Sequence, residues 1–279
     1  MPYGLTLDQV SKVSQPLPMN RAWGSLTSLT EIAQYSMYRV DISAGAAQPL
    51  HFFAEGQYQA FLESGDLVVR SLDESGRSTA GLLDEGGVLS LPRFYVHGFA
   101  SSSGAVVYLF GPRGAEELRE ILVETEEAAS AAFGALKANP LVHLGHPTAD
   151  VREKYWGRIE TILSSDVAAK RILMRKGGQS SLEFHVEKHE SYYIHSGLLR
   201  VGLRVGRAEN HSIVMKAGES YDVGPGVMHM RMGLEDTVII EVSTRDSDSD
   251  SYLVEDGQTY RHIDVTLQPS ATEKQEQPA

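Results

Sequence analysis

The sequence predicts an all-β protein made of two copies of one barrel joined by a helix. Three observations carry this reading. Short β-branched or aromatic runs bounded by Gly, Pro or Asp recur along the chain, among them 35–42 (YSMYRVDI), 66–72 (DLVVRSL), 105–110 (AVVYLF), 198–205 (LLRVGLRV) and 237–243 (TVIIEVS). That is the pattern of an all-β barrel or sandwich. At a single shift of 132 residues, Gly45 falls on Gly177, Gly65 on Gly197 and His97 on His229, and Trp23-Gly24 falls close to Trp156-Gly157. One Gly pair matches easily by chance, but several anchors in one register do not, so the chain reads as an internal repeat. Between the copies, residues 114–137 are rich in Ala, Glu and Leu, with Leu118, Ile121, Leu122 and Val123 clustered on one side. This segment predicts a helix, stopped by Asn139-Pro140.

These signals divide the chain into a first barrel over 1–113, a helix and connector over 114–150, a second barrel over 151–267 and a polar, Pro-bearing disordered tail over 268–279. The two barrels are expected to pair within one molecule, as two subunits of a dimer would, and a further homodimer is compatible with that arrangement.

The 279 residues are enough for two cores, and 42% of them are hydrophobic, which excludes wholesale disorder. No run approaches the roughly 20 apolar residues of a membrane helix. The first 20 residues show neither a basic start nor an apolar block, so no secretory leader is expected. There is no Cys, which removes disulfides, thiolate metal sites and Cys nucleophiles and fits a cytoplasmic protein. With 25 Lys and Arg against 37 Asp and Glu, the net charge of −12 argues against nucleic-acid and anionic-membrane partners.

The chemistry concentrates in the second copy. Glu183 and His185 share one face of a strand by alternation, and Glu190 follows on the next strand after a tight turn. His229 comes after the turn Gly224-Pro225-Gly226. Two carboxylates and two imidazoles then converge, a mixed set that suits one divalent ion of Mn, Fe, Zn, Co or Ni. Tyr192, two residues beyond Glu190, should face the same cavity as a proton donor or packed aromatic. Tyr193 and His195 have the opposite parity. Lys188 falls in the turn between the ligands, either solvated or holding an anionic substrate group. The run Asp246–Asp250 lacks the Gly and Glu of a calcium loop and reads as a solvated acidic loop.

The pattern Gly177-x5-Glu183-x-His185-x4-Glu190-x6-Gly197, followed by Pro225-x-Val227-x-His229, resembles the two-part signature of cupins, with Glu183 in place of the first His. The region 151–265 resembles the cupin domain of type II phosphomannose isomerases more closely. It repeats in order their W-G (Trp156-Gly157), basic-Ile strand (Lys170-Arg171-Ile172), S-L-x-x-H (Ser181 to His185), S-G (Ser196-Gly197), I-E-V (Ile240-Glu241-Val242) and S-Y-L-x-E-D (Ser251 to Asp256) segments. Two residues depart from that family. Its Gln ligand is Glu183 here, and its Arg between the ligands is Lys188, which lacks the bidentate fork. The resemblance implies two jelly-roll barrels, a metal held by Glu183, His185, Glu190 and His229, and isomerisation of a sugar or sugar phosphate, with Tyr192 and Lys188 as candidate catalytic groups. A metal-dependent dioxygenase or lyase on a small organic acid and a non-catalytic sugar-binding cupin are the alternatives, since the fold alone does not give the function. The run Glu183-x-His185-x3-His189 also resembles the ligands of ureidoglycine aminohydrolases, which makes His189 a reserve ligand. In the first copy His51, Phe53, Tyr58 and His97 stand at the four ligand positions. Only the two His can ligate, so that barrel is expected to be filled and metal-free.

Overall fold

The computed structural model describes residues 10, 12–53, 56–72, 77–112, 120–122, 142–145 and 150–262. The first copy runs through β1 (Met19–Arg21), β2 (Gly24–Glu31), β3 (Ser36–Ile42), β4 (His51–Phe53), β5 (Tyr58–Gly65), β6 (Leu67–Leu72), β7 (Ser78–Leu83), β8 (Val88–Leu91), β9 (His97–Ala100) and β10 (Ala105–Gly111). Two short strands follow, β11 (Glu120–Leu122) and β12 (Val142–Gly145). The second copy runs through β13 (Val151–Lys154), β14 (Gly157–Ser164), β15 (Val167–Met174), β16 (Leu182–Phe184), β17 (Glu190–Ser196), β18 (Leu198–Val205), β19 (His211–Lys216), β20 (Ser220–Val223), β21 (Val227–Gly233) and β22 (Thr237–Thr244), and β23 (Tyr252–Glu255) closes the described chain.

Each copy folds as two sheets around its own core. One sheet of the first copy has the order β1-β2-β3-β10-β5-β8-β12 and the other β11-β4-β9-β6-β7; in the second copy they are β13-β14-β15-β22-β17-β20 and β19-β18-β21-β16-β23. Apart from β11, β12 and β23, the two orders are identical strand for strand. The repeat extends to register, since His51 pairs with His97 and Glu183 pairs with His229. Inside the second barrel Trp156, Ile172, Tyr192, Ile194, Leu199, Val201 and Ile239 form one buried cluster.

The expected joining helix is not observed. Of that segment, Glu120–Leu122 is described and forms a strand antiparallel to β4. Ile121 and Leu122 extend an open sheet edge there, and tertiary pairing overrides the local helical preference. The remainder of 114–137, like the expected tail, lies outside the described residues. Among the described residues no helix is long and apolar enough to cross a membrane.

The two barrels pack through their larger sheets. Strand alternation sends Tyr192 and Ile194 into the second core, whereas Tyr193 points out to join Tyr35, Met37, Phe61, Tyr108, Phe110, Ile162, Ile240 and Val242 in a buried cluster drawn from both copies. Polar contacts frame it. Tyr35 Oη lies 2.9 Å from Ser191 Oγ, Tyr108 Oη 2.7 Å from His195 Nδ1, and Arg171 Nε 2.9 Å from a Glu63 carboxylate oxygen. Burial, with help from Arg39 and Arg171, lowers the His195 pKa to about 4, so the ring is neutral at pH 7. A second tie comes from the chain's beginning. Ser14 bridges Ser220 beside β20, Tyr221 donates to the Val10 carbonyl, and Val10 and Val13 pack against the second core. Val10, Val13 and Ser14 therefore sit on the second barrel although they precede the first.

A fragment of residues 148–279 would expose Ile162, Tyr193, Ile240 and Val242 and lose Val10. Each large apolar side chain left in water costs about 1.5–3 kcal/mol. We expect that fragment to self-associate in size-exclusion chromatography with light scattering. A monomer with the full chain's thermal midpoint would contradict the packing role.

Candidate metal centre

β16 is three residues long, so Glu183 stands mid-strand and His185 just past its end. The turn that follows is fixed from outside: the Asp250 carboxylate accepts the backbone N–H groups of Val186 (2.9 Å), Glu187 (3.1 Å) and Lys188 (2.9 Å). His229 is brought across from Glu183 by the turn before β21. There Gly226 adopts φ +80° and donates its N–H to the His185 carbonyl at 2.7 Å, a conformation that favours glycine. β17 supplies Glu190 from its first position.

Donor atoms of Glu183, His185 and His229 all lie within 4.8 Å of one another. Each imidazole is held by its other nitrogen. His185 Nδ1 donates to the Asp250 carbonyl at 2.8 Å and His229 Nδ1 to the Val227 carbonyl at 3.0 Å. Both Nε2 atoms are buried without a hydrogen-bond partner. A backbone carbonyl on Nδ1 fixes the tautomer that turns the Nε2 lone pair inward, the usual support of a metal-bound His. The residues therefore fit a divalent ion, on the evidence of two orphaned nitrogens and a carboxylate facing one point.

Glu190 is buried against both rings, with its oxygens 3.4 Å from His185 Nε2 and 3.1 Å from His229 Nε2. Lys188 Nζ sits 2.6 Å from Oε1 and Tyr192 Oη donates to Oε2. Burial alone would raise the Glu190 pKa, but Lys188, then His185 and His229, hold it well below the usual carboxylate range. Burial would lower the Lys188 pKa, and Glu190, Glu241 and Asp246 together hold it above its ordinary value. Lys188 is 4% exposed and lies 2.9 Å from Asp246 and 3.6 Å from Glu241, so neither the solvated reading nor a free anion anchor holds for it. Tyr192 is fully buried beneath the Arg231 guanidinium, 5.3 Å from its ring centre, and does not line the cavity. It holds Glu190 instead. His189 is half-buried beside Gly224, outside the cluster.

A cavity of about 250 Å³ opens onto Glu183, His185 and Glu190. Its walls carry Arg152, Lys154, Lys170, Lys188 and Arg231 against Glu183, Glu190, Glu241, Asp246 and Asp248, with Trp156, Ile159 and Ile172 between them. Sequence reasoning passed over Arg231, Glu241 and Lys170, although parity places Arg231 two residues after His229 and Glu241 two after the inward Ile239. It also read Asp246 and Asp250 as solvated. Instead Asp246 bridges Lys170 (2.8 Å) and Lys188 (2.9 Å), and Asp250 caps the ligand turn.

The equivalent place in the first barrel keeps two donors. The His51 and His97 rings lie with centres 4.4 Å apart and planes tilted by 54°, each with Nδ1 on a backbone carbonyl. Phe53, in the position of His185, packs 5.1 Å from His97 and 4.7 Å from Tyr58, which stands where Glu190 does. Burial, then His51, lowers the His97 pKa far below its ordinary value.

No protein-family model matches the chain, and no curated protein does. Solved structures do. A Bacillus subtilis oxalate decarboxylase with Mn(II) centres superposes with a TM-score of 0.66 at 15% identity, over 86% of this chain and 78% of that one. The formate complex of a Lactobacillus farciminis oxalate decarboxylase gives 0.62 at 17% identity, over 86% of both chains. Another Bacillus subtilis oxalate decarboxylase structure gives 0.65 at 17%, over 83% and 76%. At such identities the likeness is one of architecture: the chain has the bicupin fold.

Proposed function

We propose that the protein is a metal-dependent bicupin enzyme of lyase or oxygenase type that acts on a small organic acid in the second barrel. One observation carries this reading. The cavity walls hold five basic and five acidic side chains, so a divalent ion among Glu183, His185 and His229 leaves a positive surplus that favours an anionic acid over a neutral sugar. The solved neighbours are oxalate decarboxylases, one with Mn(II) centres and one with formate, which supports the same choice. The expected sugar isomerase finds no support among them. Lys188, standing where that family carries its Arg, is already engaged by three carboxylates.

Glu183, His185 and His229 would hold the ion, with Glu190 as fourth ligand. A carboxylate has about four lone-pair sites, so Lys188 and Tyr192 leave Glu190 capacity to coordinate. The ion supplies electrostatic stabilisation to negative charge on the acid's oxygens. Lys188, paired with Glu190, Asp246 and Glu241, fixes Glu190 and adds positive charge at the cavity wall. Tyr192 positions Glu190 from below. Trp156, Ile159 and Ile172 provide a dry wall that strengthens these interactions.

Protein loaded with Mn2+ should release product from small carboxylic acids, with oxygen uptake separating oxygenase from lyase. Turnover of sugar phosphates alone would overturn the reading. Elemental analysis should find about one tightly held ion per chain, and two would assign His51 and His97 a ligand role. His185→Ala and His229→Ala should each weaken metal affinity more than about a hundredfold with the fold retained in circular dichroism. Glu190→Gln should cost about tenfold or more and His189→Ala little; the reverse order would shift the ligand set to His189.

The charge ring also predicts a pH dependence. Burial would raise the Asp246 pKa, but Lys170 and Lys188 bring it down to about 2. A depressed carboxylate contributes stability that is present above its unfolded value and lost as pH falls through the folded one. Partial exposure of Asp246 screens the effect to about 1 kcal/mol. Asp246→Asn should lower stability by that amount at pH 7 and flatten the loss between about pH 4 and 2 in denaturant melts.

A further inference from the structure

Of the five cations around the cavity, three are consumed by the protein itself. Lys170 pairs with Asp246 and Glu241, Lys188 with Glu190 and Asp246, and Arg231 with Glu241 and Glu183. Lys154 is exposed at the rim. Arg152 differs from all of these. It is half-buried on β13, its Nε is buried without a partner, and among the described residues it makes no ion pair. A buried Nε–H without an acceptor is costly, and a guanidinium is the group best shaped to take a carboxylate through two parallel bonds. Its position gives it a task. Arg152 lines the cavity of the metal cluster and also an adjoining cavity of about 260 Å³, which shares Lys170, Asp246 and Asp248 with the first. A ligand that extends from the first cavity into the second would run beside Arg152, Lys170, Asp246 and Asp248, and of these Arg152 and Lys170 are the cations, Lys170 being already paired.

We propose that Arg152 is the specificity-determining anchor for a second anionic group of the substrate, which makes the preferred substrate a dicarboxylic acid long enough to reach from the metal cluster towards the adjoining cavity. This rests on the reading that the cluster holds an ion that takes a carboxylate. Arg152 binds and orients. It does not touch the reacting bond, so its loss should raise KM and leave the metal site intact.

The test uses the full chain loaded with Mn2+, titrated by calorimetry and by the electron paramagnetic resonance line shape of the ion. The probes are oxalate, malonate, succinate and glutarate beside acetate, propionate and butyrate. The wild type should bind one of the longer dicarboxylates at least about tenfold more tightly than the monocarboxylate of equal length, the value of one charge-assisted bond. Arg152→Gln should erase that preference, leaving monocarboxylate binding and Mn2+ affinity unchanged, and Arg152→Lys should restore part of it. Unchanged Mn2+ affinity shows that the variants are folded. If monocarboxylates and dicarboxylates perturb the ion equally in the wild type, or if Arg152→Gln keeps the preference, the anchor is overturned while the metal reading stands. If no carboxylate perturbs the bound ion, the reading itself falls and the anchor with it.

Discussion

Glu190 is a carboxylate at the floor of a barrel, 3% exposed, and the surrounding architecture answers to its burial. An unpaired ion at that depth costs several kcal/mol, so a cation must be buried with it. Lys188 meets that need and creates another, because an ammonium 4% exposed needs more than one anion. Asp246 and Glu241 answer, and they draw in Lys170 and Arg231. A chain of alternating charges thus runs from the centre of the barrel to the loop after β22. Each member has more than one partner, so removing one unbalances several neighbours at once, which is why these residues act as a unit and not as separate salt bridges.

The parts of this site that could be read directly were those fixed by alternation and by repeat. Gly177, Gly197 and His229 keep their offset from Gly45, Gly65 and His97 because each pair occupies the same turn or strand position in both copies, and the strand orders agree accordingly. Glu183, His185 and His229 bring their donor atoms within 4.8 Å of one another, and Glu190 lies against the two imidazoles. What escaped was set by contacts distant in sequence. Asp250 looked like one more solvated acid in a Ser-Asp run; its role depends on the turn 186–188, which the fold carries to it. Ile121 and Leu122 carry a helical neighbourhood, and only the open edge of β4 makes them strand residues.

The first barrel repeats the second with three of the four site positions changed. The His51–His97 pair is retained in the same register, with the same carbonyls behind each ring. Phe53 and Tyr58 replace an imidazole and a carboxylate, so the space is filled by aromatic contact and no buried cation is required. Its larger sheet does the remaining work, giving Tyr35, Phe61, Tyr108 and Phe110 to the surface shared with the second barrel.

The early stretch around Val10–Ser14 has a consequence for how the molecule is made. It leaves the ribosome before any strand of either barrel, whereas the residues that receive it, Ser220 and Tyr221, emerge only with β20 of the second barrel. Some two hundred residues separate the two partners of that bridge, and closing so long a loop is entropically slow. The first barrel can complete its sheets while the second is still being made, and the contacts of Val10 and Ser14 must wait for β20. Docking of Val10, Val13 and Ser14 therefore reports that β20 and the core behind it are in place.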